Sequence, residues 1–484
     1  MKSKIFYLFL ILIIEGAVIE IILFSKSHEN LSSPIGEQIL IDKISEEKTP
    51  SYPNLSFKKN DTNLDTKIVL PEREKMSSVS LYDDALSSLI SEKNKFIEVN
   101  FGDKKTRLWE NGVIYKEFPI AATGDPDGWG GTPSGKYHVI SKNTERYSSA
   151  AKVYMPNAIG FYGKYFLHGE PYYKNGEKRF ADATGGCVQY NDDDSKKIYD
   201  FAEYDMPVLV IDKNNDLIFS MEKSDDQLEV SAPNYLIADL DSGTILKQKN
   251  SKEKKPIASI TKLMEAVVVT ENIDLRNDIL VQPFMLDGYG STNGLISGER
   301  FRLVELLYPL LIESSNNAAQ VLSYFLGRIR TIDLMNAKTK NLLMNDTHFS
   351  DASGFDPNNI STAEDIFRLT RYIFLNRPPI FQITKGDLVR TYGEVKFHDL
   401  KNKNIFFDYP GFVGGKTGYI VTSMYTGTFI FKLPIMGKDR NIAIVLLGSK
   451  NLEVGTENIH QDVINILNWL KNKAPDIEIT PKNT

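Results

Sequence analysis

The chain has 484 residues, of which 42% are hydrophobic and 25% are charged, and its formal net charge at pH 7 is -6. This length and composition suit two or three globular domains with cores of their own. Lysine and arginine are dispersed along the chain, so nothing indicates a nucleic-acid partner. Cys187 is the single cysteine, which excludes any disulfide within the chain.

The first residues predict a membrane anchor. Two lysines in the first four residues precede a largely apolar run from Ile5 to Phe24, long enough to cross a bilayer as a helix with its N-terminus inside. We expect an uncleaved, single-pass signal anchor over 5–24 that leaves the catalytic domains on the extracytoplasmic side of the cell membrane. A cleaved signal peptide is the alternative, although no small-x-small site follows the run. Glu15 and Glu20 oppose a simple span, and the sequence does not say how they are accommodated.

A polar segment, 25–94, follows the predicted anchor. It is rich in serine, lysine and acidic residues and is interrupted by prolines, which predicts a flexible linker. A short amphipathic helix is expected where Ala85, Leu89 and Ile90 recur at helical spacing. From Phe96 the apolar residues alternate with period two, and Asn111-Gly112 marks a hairpin turn. This pattern predicts a mostly-β domain over 95–213.

Three short motifs of this β domain carry its chemistry. Thr132-Pro133-Ser134-Gly135-Lys136-Tyr137 and His168-Gly169 precede Thr184-Gly185-Gly186-Cys187. Together, with their spacing, they resemble the catalytic domain of the L,D-transpeptidases (YkuD type). The resemblance implies that Cys187 is the nucleophile, that His168 is its base and that Gly186 lies against the substrate. Gln189 stands where that family has arginine or asparagine, which makes its binding of a substrate carboxylate an open question.

The third domain is expected over 230–470, after a short charged linker at 214–229, with a polar tail at 471–484. A hairpin around Asp241-Ser242-Gly243 comes first, helical stretches follow, and apolar strands lie near 425–431 and 442–447. A last amphipathic helix passes through Ile459 and Val463. Strands at both ends of a helical middle predict an α/β domain whose sheet is built from distant segments.

Three further motifs follow in order in this domain: Ser259-Ile-Thr-Lys262, Ser314-Ser315-Asn316 and Lys416-Thr417-Gly418. A Ser-x-x-Lys alone means little, because the chain has others. At Ser259 the motif opens a probable helix, on which residues three apart share one face. In this order the motifs resemble the penicillin-binding D-alanyl-D-alanine carboxypeptidases, whose fold is that of the serine β-lactamases.

That resemblance implies a role for each matching residue. Ser259 would be acylated, Lys262 would be its base, and Ser314 and Asn316 would relay a proton and hold the substrate. The substrate carboxylate would be bound by Lys416 and Thr417 beside Gly418, with backbone N–H groups of Ser259 and Tyr419 as the oxyanion hole. Asn317 stands where the family often has aspartate.

Together the two resemblances imply one multidomain enzyme of cell-wall biogenesis. The serine domain would remove the last D-Ala of a pentapeptide stem, and the cysteine domain would transfer the shortened stem to an amine. The partners are peptidoglycan stem peptides, with β-lactams as covalent inhibitors, and neither mechanism requires a metal or a cofactor. The alternatives are a serine endopeptidase with a cysteine L,D-carboxypeptidase, or a β-lactam or wall-sensing receptor that is acylated without turnover.

Overall fold

The computed structural model describes residues 73–79, 82–180, 183–212, 217–222, 228–292, 294–389, 393–435, 437–450 and 458–481. The chain divides into two units, Met1–Ile68 and Val69–Thr484, and every described residue lies in the second. The predicted anchor over 5–24 lies outside the described residues, so it stays a prediction. Within the described ranges, no helix has the length and apolar character needed to span a membrane.

The expected amphipathic helix in segment 25–94 is present as α1 (Asp83–Ser91). Its apolar face, Ala85 and Leu89, is buried together with Phe96, Leu209 and Ile211 of the β domain. The helix is therefore fixed to the folded unit through an apolar contact, which the polar composition around it conceals.

The cysteine domain contains two sheets, one of five strands in the order β4-β3-β2-β10-β5 and one of four strands in the order β6-β7-β8-β9. Ile97 and Val208 of the first sheet share one core with Phe161 and Leu167 of the second. The predicted Asn-Gly hairpin joins β3 to β4, with both turn residues at positive φ. The strands are β2 (Phe96–Asn100), β3 (Lys105–Glu110), β4 (Val113–Pro119), β5 (Gly135–His138), β6 (Ser141–Ser148), β7 (Val153–Tyr162), β8 (Tyr165–His168), β9 (Val188–Gln189) and β10 (Pro207–Ile211), and α2 (Asp192–Phe201) lies between the last two.

The serine domain is built on a five-stranded antiparallel sheet in the order β13-β12-β20-β19-β18. The expectation of a sheet built from distant segments is confirmed, because β12 pairs with β20 across some two hundred residues that include the central helices. The alternating side chains of β12 enter different cores: Leu236 packs with the central helices and Ile237 with α9. The strands are β12 (Asn234–Asp239), β13 (Ile245–Lys249), β18 (Phe412–Ile420), β19 (Met424–Ile435) and β20 (Lys438–Ser449), and short pairs are formed by β14 (Lys255–Pro256) with β17 (Ile360–Ser361) and by β15 (Asp278–Leu280) with β16 (Arg300–Arg302).

Helices cover both faces of this sheet. The longest run of buried residues belongs to α3, which is buried almost all round and passes through the middle of the domain. The helices are α3 (Thr261–Asn272), α4 (Leu303–Leu311), α5 (Asn316–Leu326), α6 (Arg328–Asn341), α7 (Ala363–Asn376), α8 (Pro378–Lys385) and α9 (Asn458–Lys473), the last being the amphipathic helix expected from the sequence.

A small three-stranded sheet joins three distant parts of the chain. Its strands are β1 (Arg73–Lys75), β11 (Leu217–Glu222) and β21 (Ile477–Pro481), with β11 in the middle. The sequence analysis assigns these stretches to two linkers and a polar tail. Charged and polar residues around the strands favour the linker and tail predictions, although Leu217-Ile218-Phe219 of β11 is an apolar run. The ladder itself is held by backbone hydrogen bonds, which do not depend on the side chains.

Candidate active sites

The serine site begins where the chain enters α3. Ser259 lies in a 3-10 turn, Ala258–Ile260, and the preceding Ala258 has a φ of 47°, a conformation that only a constrained site retains in a residue with a side chain. Lys262 follows in the first turn of α3, and its Nζ donates hydrogen bonds to Ser259 Oγ at 3.0 Å and to Asn316 Oδ1 at 2.7 Å. The sequence prediction that these three residues meet agrees with this geometry.

Lys262 is fully buried, and burial lowers the pKa of its amine to about 8. Its third contact is the carbonyl of Ser353, at 2.5 Å. A lysine with a pKa this low is partly neutral near physiological pH, so it can take the proton of the serine hydroxyl. The geometry and the electrostatics therefore both favour Lys262 as the base.

Ser314 and Lys416 form a second serine–lysine pair in the same cavity. Lys416 Nζ donates to Ser314 Oγ at 2.8 Å, and Ser314 has a φ of 58°. Burial, followed by the nearby charges of Lys262 and Lys403, holds the pKa of Lys416 well below its usual value. A proton can thus pass along either pair.

Strand β18 places the last motif beside the nucleophile. It is the edge strand of the sheet, and a Cβ on Gly418 would lie 2.7 Å from Ser259 N, so only glycine lets the strand approach this closely. A cavity of about 490 Å³ opens here, in which Thr417 and the half-exposed Tyr419 face Ser259. A substrate backbone can therefore lie in this cavity, between the edge strand β18 and the turn at Ser314.

The cysteine site is formed by two parallel strands. His168 ends β8, and Cys187 directly precedes β9, with His168 paired to Gln189 in the ladder. His168 Nδ1 lies 2.6 Å from the carbonyl of Gly169, so Nδ1–H is the donor and Nε2 is left as a proton acceptor. Both side chains line one cavity of about 310 Å³. The strand pairing thus brings together the predicted nucleophile and base.

Burial acts on both members of this pair. It raises the pKa of the Cys187 thiol to about 11 and lowers the pKa of His168 below its ordinary value. At neutral pH the resting pair is therefore a neutral thiol beside a neutral imidazole. Attack then requires the imidazole to remove the thiol proton as the substrate is engaged, rather than a preformed ion pair.

Gly186 closes the turn before the nucleophile. It has a φ of 111°, and a Cβ at this position would lie 2.3 Å from Cε1 of Tyr165. Thr184 holds the turn, because its Oγ1 accepts from Gly186 N at 3.1 Å and donates to the Cys187 carbonyl at 2.6 Å. The glycine and the threonine of the motif therefore fix the backbone on which the thiol is carried.

Residues 221–449 match the family described as D-alanyl-D-alanine carboxypeptidase, and residues 94–210 match the L,D-transpeptidase catalytic domain. A D-alanyl-D-alanine carboxypeptidase of Mycobacterium tuberculosis is 31% identical over 205 residues, which are 41% of this chain and 69% of that protein. A D-alanyl-D-alanine endopeptidase of Haemophilus influenzae is 35% identical over 210 residues, 42% of this chain and 70% of that protein. The chain belongs to the D-alanyl-D-alanine carboxypeptidase family.

This member of the family also carries an L,D-transpeptidase catalytic domain, as the sequence motifs predict. A crystal structure of a D-alanyl-D-alanine carboxypeptidase from Mycobacterium tuberculosis aligns at 26% identity over 52% of this chain and 95% of that chain, with a TM-score of 0.47. The relatives matched in sequence are D-alanyl-D-alanine carboxypeptidases and endopeptidases.

Several residues at both sites carry no motif and escape sequence reasoning. Lys403 lines the serine cavity, and Lys164 and Arg179 line the cysteine cavity beside Gln189. Among the residues that the structure describes, the Arg179 guanidinium has no hydrogen-bond or ion-pair partner. The sequence offers one signal for Arg179, its position as a cation between His168 and Cys187. That segment contains several cations, however, and their spacing does not show which of them lines the cavity.

The two nucleophiles occupy separate cavities and share no lining residue. In the part of the chain that is described, no cluster of histidine, cysteine and acidic side chains could hold a metal ion. Each cavity contains a nucleophile, a proton acceptor and a cation, which is the equipment of acyl transfer through a covalent intermediate.

Proposed function

We propose that this protein is a bifunctional cell-wall enzyme, a serine-type D-alanyl-D-alanine carboxypeptidase joined to a cysteine L,D-transpeptidase. The observation that carries the proposal is that each of two nucleophiles has a candidate base in one compact unit: Lys262 Nζ lies 3.0 Å from Ser259 Oγ, and His168 lines the same cavity as Cys187. Family matches over both domains support the substrate class, the peptide stems of peptidoglycan.

In the serine reaction Lys262 takes the proton of Ser259 as the oxygen attacks the carbonyl between the last two D-Ala residues. The developing oxyanion is stabilised by backbone N–H groups at Ser259 and Tyr419. The proton passes to the leaving D-Ala amine, and an ester remains on Ser259. Water, with Lys262 again as base, releases a stem that is one residue shorter.

In the cysteine reaction His168 Nε2 takes the thiol proton as Cys187 attacks the carbonyl that precedes the D-Ala now at the end of the stem. The imidazolium gives this proton to the departing D-Ala amine, and a thioester forms. An amine of a second stem then attacks the thioester, and the thiol is restored. The serine reaction would thus make the donor that the cysteine reaction uses.

Arg179 would bind the carboxylate of this donor. Gln189 is neutral, whereas Arg179 brings an unpaired guanidinium to the same cavity. The donor's negative charge would thus be recognised by Arg179, which lies between the two motif segments in the sequence.

The catalytic domains would act outside the cytoplasm, on the cell membrane, held by the span predicted over 5–24. β-Lactams would acylate Ser259, since they mimic the D-Ala-D-Ala terminus.

The test is mass spectrometry of a pentapeptide muropeptide incubated with the protein, beside Ser259→Ala and Cys187→Ala variants. The expected result is a Ser259-dependent loss of one alanine, followed by Cys187-dependent dimers. Hydrolysis in place of dimers would assign the cysteine domain as an L,D-carboxypeptidase. A lasting acyl group on Ser259 without product would instead establish the receptor alternative.

A second candidate for the serine domain is an endopeptidase, because the Haemophilus influenzae relative with 35% identity is one. Incubation with purified crosslinked dimers decides between the two. Cleavage of dimers that exceeds the trimming of pentapeptides would replace the carboxypeptidase assignment.

A further inference from the structure

The serine domain contacts the cysteine domain through a buried group of charges. Glu271, Lys338 and Arg377 have no exposed side-chain surface. Lys338 Nζ lies 2.8 Å and Arg377 Nη2 lies 3.0 Å from the carboxylate of Glu271. Lys338 also donates to Tyr137 Oη of the cysteine domain at 3.1 Å. An ion cluster completely removed from water persists only when its geometry is fixed by further hydrogen bonds.

Arg377 provides the fixing bonds on the cysteine side. Its Nη1 donates to the carbonyl of Gly131 at 2.8 Å, and its Nη2 donates to Tyr165 Oη at 2.9 Å. A glycine at position 131 leaves room for this contact, because a Cβ there would lie 3.0 Å from Arg377 Nη1. The guanidinium thus joins two segments of the cysteine domain to Glu271.

Both of these segments lie directly behind the turn that carries the nucleophile. Tyr165 starts β8, the strand that ends at His168, and its ring lies against Gly186. Gly130 precedes Gly131, whose carbonyl binds Arg377. The carbonyl oxygen of Gly130 faces Gly186 and lies 3.0 Å from the position that a Cβ of Gly186 would take. Arg377 is therefore connected to the Cys187 turn by two short, packed paths.

A second contact from the serine domain reaches the same cavity. Lys164 lines the cysteine cavity, and its Nζ donates to the carbonyls of Thr270 and Ile273, at 3.3 and 3.1 Å. These carbonyls belong to the C-terminal end of α3, where a cation is favourable. The Lys164 carbonyl in turn lies 3.9 Å from Cys187 Sγ.

We propose that Arg377, a residue of the serine domain, is a positioning residue for the Cys187 site, so that the cysteine site is complete only when the serine domain is docked. The inference rests on the proposed L,D-transpeptidase function and adds to it. Arg377 does not line the cavity, so it acts through Tyr165 and the Gly130–Gly131 backbone. Its planar fork reaches both acceptors at once, which the single ammonium of a lysine does not.

The test uses the full chain with Arg377→Lys, which keeps the positive charge beside Glu271, and with Tyr165→Phe, which removes only the hydroxyl. Arg371→Lys is the matched control. Arg371 is also buried on α7, and its guanidinium donates to the carbonyls of Val79, Leu240 and Asp241, none of which belongs to the cysteine domain. Acylation of Ser259 by a fluorescent penicillin and the melting temperature show whether each variant is folded.

Two readouts report on the cysteine site. The first is kcat and KM of Cys187-dependent product formation, where we expect kcat to fall by about tenfold or more in Arg377→Lys while KM stays within about twofold. The second is the alkylation rate of the chain's single cysteine by iodoacetamide at pH 8. We expect alkylation to become several-fold faster, because a loosened turn gives water and reagent more access to the partly buried thiol.

Folded Arg377→Lys and Tyr165→Phe proteins with the kcat and the alkylation rate of the wild type would overturn the proposal, as would an equal loss in Arg371→Lys. If Arg377→Lys does not fold, Tyr165→Phe decides alone. If the wild type forms no Cys187-dependent product, the proposed function is wrong, and the alkylation rates still decide whether Arg377 positions the site.

Discussion

Burial controls the pKa values of individual side chains at the serine site. Lys262 lies in the core of the domain, yet it must give up its charge to act on Ser259. Its pKa of about 8 is the result of that burial, opposed by the nearby carboxylates of Glu265 and Asp351. If Lys262 is the base, as proposed above, it acts only in its neutral form, so the rate of acylation should follow the titration of this amine.

We predict that the acylation rate of Ser259 by a penicillin rises with pH, with a midpoint near 8. Below the pKa the amine is protonated and does not accept the serine proton, and above it the neutral amine does. Stopped-flow measurement with a fluorescent penicillin between pH 6 and 9.5 checks this. Lys262→Arg, whose side chain stays charged, should lose about a thousandfold in rate. A midpoint near 10 in the wild type would contradict the assignment.

Gly186 gives a second prediction at this scale. Gly186→Ala puts a methyl group into the ring of Tyr165, so we expect Cys187-dependent product to fall by about 100-fold while Ser259 acylation is unchanged. Gly185→Ala is the matched control, because no atom lies within 4 Å of its Cβ position, and it should lose far less. Equal losses in the two variants, measured by muropeptide analysis, would show that the Tyr165 contact does not matter.

Arg179 gives a third prediction. If its guanidinium holds the donor carboxylate, Arg179→Ala should raise KM for the tetrapeptide donor by about tenfold. The same variant should show little change for a donor in which that carboxylate is an amide. Lys178→Ala is the control, since Lys178 is engaged by Glu170 and Asp192 on the surface. A uniform loss for both donors would remove Arg179 from substrate recognition.

At the scale of elements, helix α3 carries parts of both functions. Lys262 lies in its first turn at the serine site, and Glu271 lies in its last turn at the domain interface. Glu265 lies between them, fully buried, and within the described residues neither of its oxygens has a hydrogen-bond partner. Burial raises the pKa of Glu265 well above its usual value. For Glu271 the charges of Lys338 and Arg377 outweigh burial, and its pKa is lowered.

Replacement of each of these two glutamates by methionine should change the free energy of unfolding in opposite directions. Glu265→Met removes a fully buried carboxyl whose oxygens have no hydrogen-bond partner within the described residues. Above the pKa of Lys262, where that amine is neutral and loses no ionic attraction, the free energy of unfolding should rise by about 1–2 kcal/mol. Glu271→Met leaves two buried cations unpaired and should lower it by about 3–5 kcal/mol. Urea titration of both variants compares them directly. A larger loss for Glu265→Met than for Glu271→Met would show that Glu265 has a structural partner.

The sequence predicts the motif residues of both sites, because each motif is short and local and the strand or turn that carries it is local as well. Ser259 and Lys262 share one turn, and the Gly186-Cys187 pair needs only its own loop. Arg377 and Glu271 escape prediction because they are charged residues at helix ends, more than a hundred residues apart. Only the docking of the domains brings them together, and composition alone would place both on a solvated surface.

At the scale of the whole molecule, the charged interface makes two catalytic domains into one folding unit. Besides the Glu271 cluster, Asn376 accepts from Ser134 N at 3.0 Å, and Asn341 donates to the Lys136 carbonyl at 2.8 Å. Ser134 and Lys136 belong to the Thr132–Tyr137 motif, which is part of the sequence resemblance to the L,D-transpeptidases. In the structure this motif faces the serine domain.

We therefore predict a single thermal transition for both domains. Loss of penicillin acylation at Ser259 and exposure of Cys187 to alkylation should occur at the same temperature, followed in parallel samples. Glu271→Met, which breaks the interface cluster, should separate the two midpoints. If Cys187 of the wild type becomes accessible to alkylation well below the temperature at which Ser259 loses penicillin acylation, the two domains unfold independently.

The small sheet of β1, β11 and β21 has a consequence for the order of biosynthesis. Its three strands are made before, between and after the two catalytic domains, and the middle strand pairs with both of the others. During synthesis the chain emerges from its N-terminus, so one edge of the β1–β11 pair stays unpaired until β21 has been made. The ladder closes only on a chain translated through both active sites, and a truncated product keeps an unpaired strand edge that quality-control proteases can engage.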